Sequence, residues 1–220
     1  MGIYDKDTLR HTWRLNSIRE KTKDEYGTQI SALFEAAGIS TSVISGAAIS
    51  CVVPKLTGTI KEALSEYLGI DSLVIGPGVK TTMPIMTDNP REVGADRIVN
   101  AVGAYSEHKS SLIVVDFGTA VTFDYVTEKG EYAGGAIAPG IVISSDALFS
   151  RAAKLSRVEV EKPTHVIGKN TQESMQAGIY FGYAGLVSGI VERMKKEAGS
   201  CDKVIATGGQ ASILLNDITL

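Results

Sequence analysis

Apolar residues in this chain fall into short unbroken runs that alternate with helical periodicities. The clearest run, Leu-Ile-Val-Val at 112–115, predicts a buried strand. Asp116 stands at its end, followed by Phe117, Gly118, Thr119 and Ala120. A second β-rich run over 121–126 then leads to the turn Glu128-Lys129-Gly130. This pattern predicts a β-hairpin with a carboxylate at its mouth and a tight Gly-Thr loop beside it. Gly118 permits close backbone approach, Thr119 offers a hydroxyl and Asp116 a fixed negative charge. That set suits phosphate held by backbone N–H groups and a cation held by the carboxylate. Turns favour Asp and Gly on conformational grounds alone, so the plainer reading, a hairpin with an Asp near its turn, stays open.

Upstream, the spacing predicts a strand over 9–15. The turn Asp5-Lys6-Asp7 precedes it, with too few residues ahead of the turn for a full partner strand. Thr22-Lys23-Asp24-Glu25 is a capping box, and Tyr26, Ile30, Leu33, Phe34 and Ala37 follow at helical spacing up to Gly38. A small-residue, β-branched run over 43–53 predicts a strand stopped by Pro54. Leu56, Ile60, Leu64 and Leu68 mark a helix ending at Gly69, and 73–75 is a short buried strand. The β-α-β-α-β order implies parallel strands with covering helices.

Residues 76–97 form the longest irregular segment and carry three of the six prolines. Loops of that length inside compact domains tend to be functional. Gly94-Ala95-Asp96-Arg97 then opens a helix whose apolar face is Ile98, Ala101, Val102 and Tyr105. Asp96 reads either as a first-turn acid complementing the helix dipole or as a carboxylate facing a cleft, with Arg97 as its anion-binding neighbour. A strand over 131–141 is crowded with Gly134, Gly135, Pro139 and Gly140, a sign of close backbone approach. A helix is expected over 144–155, with apolar fragments at 158–160 and 165–167. Asn170-Thr171-Gln172-Glu173 is a second capping box, opening a helix that runs to about Ala198. Gly178, Gly182, Gly185 and Gly189 fall on or near one side of it and signal close helix packing, either in the core or at a dimer seam. The run 204–206 is a buried strand followed by Thr207-Gly208-Gly209. The tail then stops without the closing helix that the topology calls for.

Composition narrows the class. Of 220 residues, 44% are hydrophobic and 21% charged, an ordinary soluble globular composition for one or two domains. A net charge of −3 without a basic stripe argues against nucleic acid. No apolar run is long enough for a membrane span, and the N-terminus lacks a signal-peptide core. Cys51 and Cys201 then read as reduced thiols of a cytoplasmic protein. His11, His108 and His165 are scattered, and no CxxC or HxxxH suggests a metal centre. The Walker A loop, the dinucleotide-binding glycine motif and the G-x-S-x-G elbow are absent. What remains is two βαβ-type lobes, 1–108 and 109–220, with a D-x-G-T hairpin and a late Gly-Gly turn. That is the pattern of the α/β actin-like (ribonuclease H-like) fold, with duplicated domains and mixed sheets flanked by helices.

Five motifs carry a more specific likeness. They are Asp88-Asn89-Pro90 with Glu92-Val93-Gly94-Ala95-Asp96-Arg97, then Asp116-Phe117-Gly118-Thr119-Ala120, Gly134-Gly135-Ala136-Ile137-Ala138-Pro139-Gly140, Ile167-Gly168-Lys169-Asn170-Thr171, and Thr207-Gly208-Gly209. In that order and spacing, over essentially the whole chain, the sequence resembles the type III pantothenate kinases. The resemblance implies ATP-dependent phosphorylation of pantothenate to phosphopantothenate, the first step of coenzyme A synthesis. It also implies a homodimer, Mg²⁺, and a monovalent cation, K⁺ or NH₄⁺. Asp96 would be the general base, and Gly94, Ala95 and Arg97 would line the substrate site. Asp116 would hold the monovalent cation, Gly118 and Thr119 would meet the ATP phosphates, and Thr171 would reach pantothenate from the neighbouring subunit.

The sequence departs from the family pattern in several places. The opening D-x-G-N-T strand, which handles phosphate and Mg²⁺, is expected to be missing, because Gly2-Ile3-Tyr4-Asp5 resembles the segment just downstream of it. Thr87 stands where an aromatic Tyr lies against pantothenate, and Lys80-Thr81-Thr82 stands for K-T-G. The last strand and helix are likewise expected to be missing. These departures keep two other expectations in view. One is a catalytically inactive relative that binds pantothenate or a nucleotide as a regulator or partner subunit. The other is an actin-like kinase or phosphatase for another small hydroxylated substrate.

Overall fold

Two stretches of the chain pack separately, Met1–Gly76 and Pro77–Leu220. The structure, a computed structural model, describes residues 1–76, 79–151 and 159–218. It is a mixed α/β fold.

In the first unit, β1 (Gly2–Asp5) pairs antiparallel with β2 (Thr8–Thr12), with an irregularity between Ile3 and Tyr4. The few residues before the turn do form a partner strand, contrary to the expectation from their number, because this ladder needs only four of them. Helix α1 (Lys23–Ala36) starts at the predicted capping box: Thr22 Oγ1 accepts from Glu25 N–H, and Glu25 Oε2 accepts from Thr22 N–H. Its Ile30 and Phe34 are buried with Leu64, Leu68 and Ile70. The intervening strand β3 is only Ala47–Ser50, shorter than the predicted 43–53, because Ser40 caps a 3-10 turn over Thr41–Val43. Helix α2 (Pro54–Leu68) takes Pro54 in its first turn, where a missing N–H costs no helical bond, and stops at Gly69 in the left-handed region, φ 66°. Strand β4 (Ser72–Ile75) lies parallel to β3, giving the expected crossover as a two-stranded sheet.

The second unit is built on a four-stranded sheet. Helix α3 (Ala95–His108) precedes β5 (Leu112–Phe117), β6 (Ala120–Val126) and β7 (Tyr132–Pro139). Helices α4 (Ile141–Arg151) and α5 (Thr171–Ala198), strand β8 (Lys203–Thr207) and the short helix α6 (Ala211–Leu214) follow. Strand order is β7-β6-β5-β8; β5 to β7 form an antiparallel meander and β8 runs parallel to β5. The unbroken apolar run at 112–115 arises because both faces of β5 are covered. Ile113, Val115 and Phe117 pack with Tyr180, Tyr183 and Val187 of α5. Leu112 and Val114 pack with Ile98 and Ala101 of α3. Contact with β5 and β6 therefore puts α3 in the second unit.

The predicted helix over 144–155 begins earlier, at Ile141, and its last expected residues lie outside the described ones. Val158 also lies outside them, while Val166 and Ile167 are exposed. The tail forms the single turn α6, where none was expected. A Cβ built on Gly178, Gly182 or Gly185 would meet no atom within 4 Å. The close packing expected at these glycines is therefore not made among the described residues of the chain.

Candidate active site

The first turn of α3 and the mouth of the β5–β6 hairpin come together. Asp96 sits half-buried in that turn and accepts the Arg97 backbone N–H on Oδ1 at 2.8 Å, where its charge complements the helix dipole. Four residues on, Asn100 donates from Nδ2 to Asp116 Oδ2 at 2.7 Å and ties the helix to the end of β5. The sequence reading passed over Asn100, although its spacing from Asp96 puts both on one helix face. Burial pushes the Asp116 carboxyl above its ordinary range, and the carboxylates of Asp96 and Asp124 push the same way against the Asn100 hydrogen bond. Among the described residues Asp116 has no ion-pair partner. A half-buried carboxylate in that condition suits a cation, and its hard oxygen suits K⁺. No group of three or more His, Cys, Asp and Glu stands in metal-holding range among the described residues. Mg²⁺ commonly needs only one or two carboxylates with substrate phosphates completing its shell, and Asp96 and Asp116 are the acids that meet at this junction.

The Thr207-Gly208-Gly209 turn seats directly on this group. Gly208 has φ +95°, and a Cβ there would overlap Asp116 Oδ1 and lie 2.6 Å from Phe117 N and O. On the other side, Gly118 N–H donates to Ala120 O at 3.0 Å, so Gly118 contributes space to the turn and its donor is already engaged. Thr119 is exposed beside it. Gly140 N–H donates to Thr119 O at 3.0 Å, and Tyr183 Oη of α5 lies 2.9 Å from Pro139 O. The Gly-Thr turn is thus braced from below by β7 and α5.

Arg97 is anchored within the chain by Asp124. Its Nε–H donates to Asp124 Oδ1 at 2.8 Å, and its NH2 nitrogen lies 2.6 Å from the same oxygen. Asp124 is fully buried in β6 and also accepts from Tyr132 Oη at 2.5 Å and from Thr122 Oγ1 at 3.2 Å. The Arg97 guanidinium lies 5.8 Å from the Tyr132 ring centroid. Burial raises the Asp124 pKa, with Arg97 and Tyr132 pulling against it, and raises that of Tyr132 as well. Asp124 and Tyr132 were missed in the sequence. The available signal was an Asp inside the run Val-Thr-Phe-Asp-Tyr-Val, where a strand disfavours it.

Two buried polar atoms beside this network have no hydrogen-bond partner, Arg97 NH2 and Thr87 Oγ1. The NH2 nitrogen is in ion-pair range of Asp124 but not aligned to donate to it. A Cβ on Gly135 would collide with Phe123 O of β6 and lie 3.1 Å from Arg97 NH2, so the bare backbone of β7 passes close against β6 and Arg97 at this point. Thr171 is placed apart from all this. It opens α5 and lines a groove of about 550 Å³ with Ser144, Leu148, Gly178, Gly182 and Tyr183. None of the Asp96 cluster lines that groove. Thr82, at the position of the expected glycine, has φ +62°.

Comparison with known proteins gives a consistent result. A family model described as type III pantothenate kinase matches residues 1–193. Proteins named type III pantothenate kinase from Geobacter sulfurreducens and Geotalea uraniireducens are each 56% identical over 214 residues, covering 97% of this chain and 84% of theirs. One of the same name from Geotalea daltonii is 55% identical over 219 residues, covering 100% of this chain and 86% of its own.

Proposed function

The chain belongs to the type III pantothenate kinase family, and on that premise we propose that it transfers the γ-phosphoryl group of ATP to a pantothenate hydroxyl, with Asp96 as general base. The observation that carries the residue assignment is the junction of α3 with the hairpin. Asp96 and Asn100 lie one turn apart, and Asn100 is bonded to Asp116, itself without a positive partner among the described residues. Phosphoryl transfer needs positioning, charge neutralisation and one acceptor for the hydroxyl proton. Asp96 takes that proton as the hydroxyl oxygen bonds to the γ-phosphorus and the bond to the β–γ bridging oxygen breaks, leaving ADP.

Gly94, Ala95 and Arg97 line the pantothenate side of this site, and the Thr119 hydroxyl meets the phosphates, with Gly118 giving them room. Asp116 holds K⁺ or NH₄⁺, while Asp96 and Asp116 stand in reach of a phosphate-bound Mg²⁺. These ions supply positive charge beside the transferred group. The chain acts as a homodimer, a reading supported by the open glycine face of α5 and the groove at Thr171. Thr171 then serves the partner's pantothenate. Duplicated actin-like lobes and a cytoplasmic location complete the reading, with α3 going with the second lobe because it packs on β5 and β6. No helix among the described residues is long and apolar enough to cross a membrane.

The test is incubation with pantothenate, ATP, Mg²⁺ and K⁺, with phosphopantothenate detected by mass. The chain is assayed as it stands and also extended upstream by a D-x-G-N-T strand. Product from either form supports the function; no product from two folded forms overturns it.

A further inference from the structure

We infer that Asp124 is a positioning residue which, with Tyr132 and Thr122, clamps Arg97 so that a buried guanidinium N–H is held toward an acceptor oxygen of the substrate. The inference rests on the pantothenate kinase reading and adds to it a second row of residues that touches no substrate. Asp124 is 0% exposed; its Oδ1 accepts from Arg97 Nε and Tyr132 Oη and its Oδ2 from Thr122 Oγ1, so both oxygens are held in place. The guanidinium has five donors in a rigid plane, and fixing Nε fixes the direction of the rest. Its NH2 nitrogen is buried 2.6 Å from Asp124 Oδ1 and has no aligned acceptor among the described residues.

Stability alone is a poor reason for this arrangement. A buried ion pair is often no better for stability than apolar residues of the same volume. A structural pair would also be expected to align its buried donors, whereas here the NH2 nitrogen touches Asp124 Oδ1 at 2.6 Å without an aligned hydrogen bond. Arg97 further couples two functions in one residue. Its backbone N–H holds Asp96 Oδ1 while its side chain is held by Asp124. The acceptor that completes NH2 then belongs to the molecule whose hydroxyl meets Asp96. For pantothenate that acceptor is one of its carbonyl or carboxylate oxygens.

The test is steady-state kinetics on Asp124→Asn, which keeps the shape and removes the charge, and on Tyr132→Phe, which removes one hydroxyl and keeps the buried ring. The expected result for Asp124→Asn is a rise in KM for pantothenate of about ten-fold or more, the scale of one charge-assisted hydrogen bond, with KM for ATP within about two-fold. Tyr132→Phe shifts the same constant by about three-fold in the same direction, less than Asp124→Asn because Asp124 keeps its charge and its bond from Arg97 Nε. Arg97→Lys combined with Asp124→Asn is expected to be no worse than Arg97→Lys alone, since the clamp acts only through Arg97. If Asp124→Asn does not fold, Tyr132→Phe decides. An unchanged pantothenate KM in the folded variants, or an equal rise for ATP, overturns the clamp while leaving the kinase standing. Failure of the unmodified protein both to bind pantothenate by calorimetry and to phosphorylate it removes the functional reading, and the clamp falls with it.

Discussion

Gly208→Ala is predicted to destabilise the second unit and displace Asp116 in the same step. Gly208 has φ +95°, a conformation that costs a residue with a side chain roughly 1–3 kcal/mol. The added Cβ would also overlap Asp116 Oδ1 and approach Phe117 N and O to 2.6 Å. Phe117 ends a central strand paired to β6 on one side, so its backbone has little room to retreat. Asp116 can swing aside, but only by giving up the 2.7 Å bond from Asn100, and a hydrogen bond to a charged group is worth about 1.5–3 kcal/mol. Together the loss should be about 3–5 kcal/mol, a large share of a typical stability of roughly 5–15 kcal/mol. Urea unfolding followed by circular dichroism measures it; with a slope of about 1–3 kcal/mol/M the midpoint should fall by more than 1 M. The same variant should lose thermal stabilisation by K⁺. A midpoint within the error of the unmodified protein, together with an intact K⁺ response, would refute the packing argument for this turn.

Two further outcomes follow from the same geometry. Thr82→Gly should stabilise the protein by about 0.5–1 kcal/mol in urea unfolding, since relief of a left-handed β-branched residue outweighs the added freedom of the unfolded chain; a loss of stability would contradict this. Asp116 has a raised folded pKa, so between the usual carboxylate value of about 4 and that raised value the native state binds more protons than the unfolded state. The cation-free protein therefore loses stability from this group as pH rises through that window. Bound K⁺ favours the ionised form, so the K⁺-induced rise in Tm should shrink as pH is lowered through the same window. At saturating K⁺, a hundred-fold above its Kd, stabilisation approaches about 2.7 kcal/mol. Asp116→Asn should abolish the K⁺ shift and raise Tm in its absence, and a K⁺ shift that survives in this variant would place the cation elsewhere.

What the sequence revealed and what it hid follow from range. The capping box at Thr22, the Gly69 stop, the helix opening at Gly94-Ala95 and the 112–126 hairpin depend on neighbours within a few residues, and all formed where local chemistry put them. The extent of β3 was overstated because residues favourable to a strand found no further partner beyond β4. The glycines of α5 announced a face made for close approach, but periodicity does not say what approaches it. The Arg97–Asp124 pair spans twenty-seven residues and depends on the register of β6 against β7, where Asp124 faces Gly135 across the ladder. That pairing is made across the sheet by the β6–β7 ladder, so no local motif pointed to it. Asp96 and Asp116 were visible because their motifs are local; Asn100, Asp124 and Tyr132, which fix them and their neighbour Arg97, were not.

The assignment of Asp96 as general base is tested most directly by Asp96→Asn, whose amide oxygen can still accept the Arg97 N–H. Initial rates of phosphopantothenate formation should fall by about 10²–10⁴-fold in kcat, the usual contribution of a positioned base. Tm and KM for ATP should stay close to those of the unmodified protein. Turnover by the folded variant at the unmodified rate would contradict the assignment of Asp96 as the proton acceptor.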